Sequence, residues 1–265
     1  MVDFEKKLSY DVYDLKKIID LLRSPGGCPW DIEQTHESIR RNFIEEVYEA
    51  VEAIDEGSAE HLCEELGDVL TQVVFHADIE DKAGRFDLDG VADMVCKKLI
   101  FRHPHVFGDT AADTSGEVLV NWDKLKRIEK QQATVTQELE SVARSLPALW
   151  RAEKIQKKAA KAGFDWLDVS GALAALREEI GELEAAIATG GDAEGELGDV
   201  IFSAVNVARF LKADPETALG RTCDKFIARF GRTEAEAEKQ GRQLETMTPE
   251  EIDRLYRAAK TALER

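Results

Sequence analysis

The sequence predicts an all-α protein, and three features indicate this fold class. Apolar residues recur at helical spacing, as in Phe43, Val47, Ala50, Val51 and Ile54. No segment shows a convincing alternation of apolar and polar residues, which would indicate a strand. An acidic helical pattern occurs twice, and each copy is interrupted by a turn that contains glycine. We therefore expect helical hairpins arranged in tandem.

The first hairpin is predicted from its turn. The first helix should end at Glu56, because Gly57 can serve as a C-cap and Ser58 as the N-cap of the next helix. The apolar stripe predicted for the second helix consists of Leu62, Leu66, Val69, Leu70 and Val73.

A second hairpin follows after a connecting region. Gly108–Gly116 is rich in small and polar residues and reads as a loop, whereas residues 117–132 are charged with a helical pattern. Pro147 opens the second unit, whose hairpin turns at residues 189–192. The predicted domains are an N-terminal unit at 1–108, a linker with a bridging helix at 109–146, and a C-terminal unit at 147–265. The apolar residues of the second hairpin are Leu176, Ile180, Leu183, Ile187, Leu197, Ile201 and Val205.

The two units read as copies of one ancestral unit. Four pairs of identical residues occur in the same order in both halves, and their offset drifts slowly, as a few small deletions would produce. The pairs are Trp30 and Trp166 at an offset of 136, Glu46 and Glu179 at 133, Glu65 and Glu196 at 131, and Lys98 and Lys225 at 127.

Composition excludes several classes of function. The net charge is −18 and the sequence pI is about 4.8, so no broad basic face exists to bind a nucleic-acid backbone or an anionic membrane. No run of about 18 apolar residues is present, and the N-terminus has no apolar signal core. The four cysteines form no CxxC pair, which argues against a zinc cluster. We expect a cytoplasmic protein with no direct contact to nucleic acid or membrane.

The acidic pattern predicts a metal site in each unit. Residues three and four positions apart share one face of a helix, so each hairpin gathers several carboxylates. Like charges at this spacing repel, and a hard divalent ion such as Mg²⁺, or Mn²⁺ in its place, would neutralise them. A single copy would more simply be a solvated helix surface, but the repetition favours a metal site. The acidic residues are Glu45, Glu46, Glu49, Glu65 and Asp68 in the first unit, and Glu178, Glu179, Glu182, Glu196 and Asp199 in the second.

Each unit also carries a basic pair at i,i+4. Lys98 and Arg102 form the first pair, and Lys225 and Arg229 form the second. Opposite a carboxylate-held metal, such a pair would bind the other end of an anionic ligand, for example a phosphate chain. Either pair alone would more simply be a surface feature without a ligand.

Several longer strings resemble a known family. These strings are GGCPWDIEQTH, RHPHVFGD, NWDKLK and LPALWRAEKIQKKAAKAGFDW, and they accompany the paired EExxE and ExxD motifs. Together they resemble a two-domain MazG-type nucleoside triphosphate pyrophosphohydrolase over essentially the whole chain. The acidic motif alone is shared with all-α dimeric dUTPases and phosphoribosyl-ATP pyrophosphohydrolases, so the flanking strings and the duplication make the narrower assignment.

The resemblance implies Mg²⁺-dependent hydrolysis of nucleoside triphosphates to the monophosphate and pyrophosphate, with broad substrate range, by a homodimer whose sites lie in four-helix bundles. It also implies that activity belongs mainly to the C-terminal unit. The implied metal ligands are Glu46, Glu49, Glu65 and Asp68, with Glu179, Glu182, Glu196 and Asp199 in the second unit.

The remaining site residues follow from the same resemblance. Both basic pairs would contact phosphates, and Lys225 and Arg229 join the predicted catalytic set. Glu45 or Glu178 would accept the proton of the attacking water. Trp166 or Tyr256 could stack on the base, although an aromatic residue at helical spacing is more often part of a core.

Two alternatives remain open at this point. One is a non-catalytic helical module that binds nucleotides or Mg²⁺ and passes the signal to a partner. The other is an enzyme restricted to dUTP or to a phosphoribosyl nucleotide. Metal-dependent turnover separates the first from an enzyme, and substrate range separates the second.

Overall fold

The described part of the chain is entirely helical. A computed structural model describes residues 4–109, 114–129 and 132–263, and within these ranges it contains helices and loops but no strand, which confirms the predicted fold class. A 3-10 turn at Leu244–Thr246 precedes the last helix. The α-helices are α1 Val12–Leu22, α2 Pro29–Glu33, α3 His36–Glu56, α4 Ala59–Lys82, α5 Leu88–Arg102, α6 Pro104–Phe107, α7 Ser115–Glu129, α8 Val135–Glu140, α9 Ala148–Lys161, α10 Val169–Thr189, α11 Ala193–Phe210, α12 Pro215–Lys239 and α13 Pro249–Leu263.

Two compact units make up the chain, residues 1–126 (unit 1) and 127–265 (unit 2). The predicted linker, 109–146, carries all of α7 and α8, and its residues 110–113 and 130–131 lie outside the described ranges. The boundaries at 108 and 147 therefore stay predictions. No helix in the described ranges is both long and apolar enough to cross a membrane.

Both predicted hairpins are present, and their turns form as the capping residues indicate. Gly57 ends α3 in the left-handed region at φ 70°, and the Ser58 hydroxyl accepts the His61 N–H at 3.2 Å to start α4. Gly190 ends α10 at φ 72°, and an Asp192 carboxylate oxygen accepts the Gly195 N–H at 3.0 Å to start α11. Helices α3 and α4 pack against each other, as do α10 and α11.

A further helix braces each hairpin and extends the repeat. Helix α1 packs on α4 and α9 packs on α11. Their N-caps, Asp11 and Pro147, lie at the same offset of 136 as the two tryptophans. In unit 1 the core between α1, α3 and α4 is formed by Ile19, Ile39, Val74 and Phe75.

The left-handed turn at Gly57 yields a stability prediction. A Cβ at this glycine would meet no atom within 4 Å, so Gly57→Ala costs only the backbone strain of a left-handed residue, about 1–2 kcal/mol. We expect the apparent Tm to fall by roughly 2–8 °C in a thermal melt. Gly220→Ala is the matched control, because Gly220 lies inside α12 with equally open surroundings. Alanine is favoured there, so the control should melt at the same or a slightly higher temperature, and a fall like that of Gly57→Ala would contradict the argument.

Candidate functional site

The hairpin helices carry all ten predicted acidic site residues. Because several residues of each motif lie three or four apart, each helix carries at least two carboxylates on one face. Helix α3 carries Glu45, Glu46 and Glu49, helix α4 carries Glu65 and Asp68, helix α10 carries Glu178, Glu179 and Glu182, and helix α11 carries Glu196 and Asp199.

In unit 1 the carboxylates of three predicted ligands converge. Oxygen atoms of Glu46, Glu49 and Glu65 all lie within 4.8 Å of one another. Burial raises the pKa of Glu46, and the charges of Asp68 and Glu49 raise it further. Glu65 is 8% exposed, and its Oε2 atom has no hydrogen-bond partner among the described residues. A buried carboxylate oxygen without a donor is costly, so this cluster fits a cation.

Unit 2 repeats the cluster with its own acidic residues. Oxygen atoms of Glu179, Glu196 and Asp199 lie within 4.8 Å of one another. The pKa of Glu179 is raised, first by burial and then by the neighbouring charges of Glu182, Asp199, Glu196 and Glu178. In an octahedral Mg²⁺ site, ligand oxygens are about 3–4 Å apart, so only a small contraction would close this cluster on an ion.

The two predicted general bases have different surroundings. Both Glu45 and Glu178 are exposed. Glu45 forms an i,i+4 ion pair with Arg41 at 2.7 Å, whereas Glu178 lies close enough to Glu179 to raise its pKa. Of these two residues, only Glu178 thus acts electrostatically on a residue of an acidic cluster.

The two basic pairs differ in their burial. On α5, Arg102 is 8% exposed and its guanidinium carbon lies 5.3 Å from the centre of the Trp122 ring, while Lys98 is half-buried. On α12, Lys225 is exposed and Arg229 is half-buried. The sequence pattern predicts equivalent pairs, but in unit 1 Arg102 lies on an aromatic ring of the same unit.

The two aromatic candidates for base stacking have different surroundings. Trp166 borders a cavity of about 420 Å³ in unit 2. A Cβ on Gly171 would come within 3.2 Å of this indole, so the glycine lets Trp166 lie against the start of α10. Tyr256 lies elsewhere, on α13, where its ring centre is 5.9 Å from that of Phe226.

This cavity was not predicted from the sequence. Its walls are largely apolar, and four polar side chains join them. Phe202 and Asn206 lie three and seven residues after Asp199 on α11, so they continue the helix face that carries the acidic cluster. This spacing is the sequence feature from which this side of the cavity could have been predicted. The lining residues are Leu139, Ile155, Gln156, Ala159, Gly163, Phe164, Asp165, Trp166, Phe202, Asn206 and Arg209.

In unit 1 two of the corresponding wall positions carry larger, buried side chains. At the offset of 131 that relates the ExxD motifs, Asn206 corresponds to Phe75 and Arg209 to Asp78. Phe75 is 6% exposed, and the Arg23 guanidinium lies 4.5 Å from its ring centre. Arg23 also binds Asp78 at 2.7 Å, with both side chains less than 10% exposed. At the offset of 136, Arg23 corresponds to Ala159, a residue of the cavity wall.

The two acidic hairpins match one protein family. The MazG nucleotide pyrophosphohydrolase domain matches the chain twice, at residues 34–107 and 169–231. The nucleoside triphosphate pyrophosphohydrolase/pyrophosphatase MazG of Thermotoga maritima is 43% identical over 247 residues, which cover 93% of this chain and 94% of the relative. This chain belongs to the MazG family. The nucleoside triphosphate pyrophosphohydrolase of Escherichia coli K12 is 39% identical, over 93% of this chain and 95% of its own length.

A third relative has a larger architecture. The uncharacterized protein YabN of Bacillus subtilis is 44% identical over 97% of this chain, which spans 53% of YabN. Membership of the MazG family confirms the resemblance seen in the sequence and makes the chain a hydrolase, which disfavours a purely non-catalytic module.

The MazG matches contain only part of the site. Both matched ranges include an acidic cluster and the basic pair that follows it. On the cavity wall they include Phe202, Asn206 and Arg209, but Gln156 and Trp166 precede the second range. The far side of the cavity is therefore contributed by α8, α9 and the segment that leads into α10.

Proposed function

We propose that unit 2 hydrolyses nucleoside triphosphates to the monophosphate and pyrophosphate in a Mg²⁺-dependent reaction. The observation that carries the proposal is the combination, along one helix, of a carboxylate cluster and an open apolar cavity. Asp199 belongs to the cluster, and Phe202 and Asn206 continue its face to the cavity. A ligand with phosphates at one end and a flat base at the other fits this arrangement.

The chain's own residues have distinct parts in this reaction. Glu179, Glu182, Glu196 and Asp199 would hold Mg²⁺, and Mn²⁺ could replace it because both prefer carboxylate oxygens. A bound Mg²⁺ would supply Lewis-acid neutralisation of the phosphate charge. Lys225 and Arg229 would bind phosphate oxygens, and Glu178 would accept a proton from the water that attacks phosphorus.

The cavity supports a broad substrate range. Its apolar walls offer stacking to any base, since every base has a π-face, and Trp166 supplies the largest ring. Ribo- and deoxyribonucleotides would both be accepted if the sugar lies between the cavity and the acidic cluster. We expect the site to accept dUTP among other substrates, not to be restricted to it.

Unit 1 has features of a supporting role. Its cluster of Glu46, Glu49 and Glu65, with Asp68 as a fourth ligand, would bind a divalent cation, but Phe75 and Arg23 take the positions of Asn206 and Ala159 of the unit 2 cavity. Glu45, the base candidate of this unit, is paired with Arg41. We propose that unit 1 binds metal and contributes to assembly or regulation without turning over nucleotides.

The direct test is a product assay on the intact protein. Monophosphate and pyrophosphate are measured with ATP, GTP, CTP, UTP and their deoxy forms, in the presence of Mg²⁺, Mn²⁺ or EDTA. We expect both products in equal amounts with either ion, for all bases, and none with EDTA. Release of orthophosphate and a diphosphate, or turnover that persists in EDTA, would contradict the proposal.

We further propose that the protein is a homodimer. The hairpin helices expose large apolar residues in the single chain, among them Val47, Leu66, Ile180, Leu197 and Ile201. Two hairpins that pack together as a four-helix bundle would bury these side chains.

Sedimentation can test this homodimer. We expect a species of twice the 29.6 kDa chain mass, and Ile180→Glu together with Ile201→Glu should shift it to the monomer, because charges do not tolerate burial in an apolar interface. Lys239→Glu is a control on the exposed end of α12 and should stay dimeric. A wild-type monomer at micromolar concentration would overturn the proposal.

A further inference from the structure

The side-chain amide of Asn206 is held in one orientation. Its Oδ1 atom accepts from Arg209 Nε at 3.0 Å and from Arg209 Nη2 at 2.8 Å. A guanidinium group has only donors, so the amide oxygen must face it. The two N–H groups of Asn206 therefore lie at the opposite end of the amide, and Asn206 lines the unit 2 cavity.

Arg209 is itself fixed by a second contact. Its Nη1 donates to Asp165 Oδ2 at 3.0 Å, and its Nη2 donates to Asp165 Oδ1, which forms a bidentate pair. The side chain of Arg209 is only 12% exposed. Asp165 also accepts the backbone N–H of Trp166 at 2.9 Å. One chain of charge-assisted bonds thus connects the Asn206 amide to the segment that carries the Trp166 ring.

The position of Asn206 suits contact with a base. It follows Asp199 by seven residues, or about 10 Å along the axis of α11, on the same helix face. A nucleotide whose phosphates lie at the acidic cluster would reach toward Asn206 with its sugar and base. In unit 1 the corresponding residue is Phe75, which has no polar side-chain atom.

We propose that Asn206 is a base-binding residue of unit 2, which donates a hydrogen bond to an acceptor atom of the nucleobase, and that Arg209 and Asp165 are positioning residues. The inference rests on the function proposed above. Every nucleobase carries a carbonyl oxygen or ring nitrogen that can accept. A fixed donor therefore recognises a base as such and accepts purines and pyrimidines alike.

The test compares substrates with and without a base. Steady-state kinetics of Asn206→Leu and Asn206→Asp are measured on the eight nucleoside triphosphates and on ribose 5-triphosphate, which has no base. We expect KM for every nucleoside triphosphate to rise on the order of tenfold, with little change in kcat, since one hydrogen bond to the base is lost. Asn206→Asp should be as defective as Asn206→Leu, because a carboxylate has no N–H. The kinetics on ribose 5-triphosphate should stay unchanged.

Positioning by Arg209 has its own variants. Arg209→Leu should raise KM for the nucleoside triphosphates, and Arg209→Lys should restore part of the loss, because lysine keeps a donor and the charge that faces Asp165. Asn42→Leu, the same substitution at an exposed position of α3, is the matched control and should behave as wild type.

The outcomes separate this inference from the function beneath it. If wild-type protein cleaves no nucleoside triphosphate, the proposed function fails and the inference falls with it. If wild type is active and the Asn206 variants match its KM, the inference alone is overturned. An equal rise in KM for ribose 5-triphosphate would also overturn it, since the residue would then act on phosphates or on folding. Thermal melts identify any variant that fails to fold, and Asn206→Ala then replaces it.

Discussion

Glu179→Gln should abolish nucleotide turnover, whereas Glu46→Gln should leave most of it. The two residues occupy the same position of the repeat, and each has a pKa raised by burial and by neighbouring carboxylates. If Glu179 holds the metal in the proposed active unit, its removal loses several kcal/mol of transition-state stabilisation, so kcat/KM should fall at least about a hundredfold. We expect the loss only for Glu179→Gln, because in unit 2 the helix face that carries the cluster continues to a cavity, whereas at the same place in unit 1 Phe75 is buried against Arg23.

Thermal melts in EDTA distinguish this result from simple unfolding. Without metal, Glu179 lies among like charges, so its replacement by neutral glutamine should leave the melting temperature unchanged or raise it. With Mg²⁺ added, wild type should gain more stability than the variant, since ligand binding to the native state shifts the unfolding equilibrium. In the activity assay, equal losses of kcat/KM in Glu46→Gln and Glu179→Gln would show that both units turn over nucleotides.

Local features of the fold could be predicted from the sequence. The ends of α3 and α10 are encoded by Gly57 and Gly190, whose left-handed conformation few other residues adopt. The acidic motifs were equally readable, because residues three and four apart on a helix share a face whatever surrounds them. Both kinds of feature depend on contacts between residues close in sequence.

Features that depend on tertiary contacts could not be predicted in this way. The hydrogen-bond network at the cavity includes the ion pair between Asp165 and Arg209, two common residue types that are 44 positions apart in the sequence. The spacing predicts that Arg102 is the counterpart of Arg229. However, Arg102 lies against Trp122 of α7, a helix outside the repeated hairpins. In each case the local pattern fits more than one environment, and packing decides between them.

The two units differ at this cavity, and we predict that the unit 2 cavity can be narrowed by introducing the residue types found at the same positions of unit 1. Ala159→Arg combined with Asn206→Phe places in unit 2 the residue types of Arg23 and Phe75, which stack at 4.5 Å in unit 1. The new arginine would share Asp165, which borders the same cavity and already pairs with Arg209. With two larger side chains in the cavity of about 420 Å³, we expect kcat/KM for all nucleoside triphosphates to fall at least about a hundredfold, because the Asn206 contact is lost and entry of the base is obstructed.

Metal binding measured by Mn²⁺ titration separates this narrowing from damage to the acidic cluster. The double variant keeps Glu179, Glu196 and Asp199, so its affinity for Mn²⁺ should equal that of wild type. Ala148→Arg makes one of the two changes at an exposed position of α9 and should retain full activity. If the double variant hydrolyses nucleotides at the wild-type rate, the base does not bind in this cavity. Arg23 and Phe75 then no longer explain the proposed inactivity of unit 1. If activity falls while Mn²⁺ affinity is kept, the difference between the units lies in base binding and not in the metal ligands.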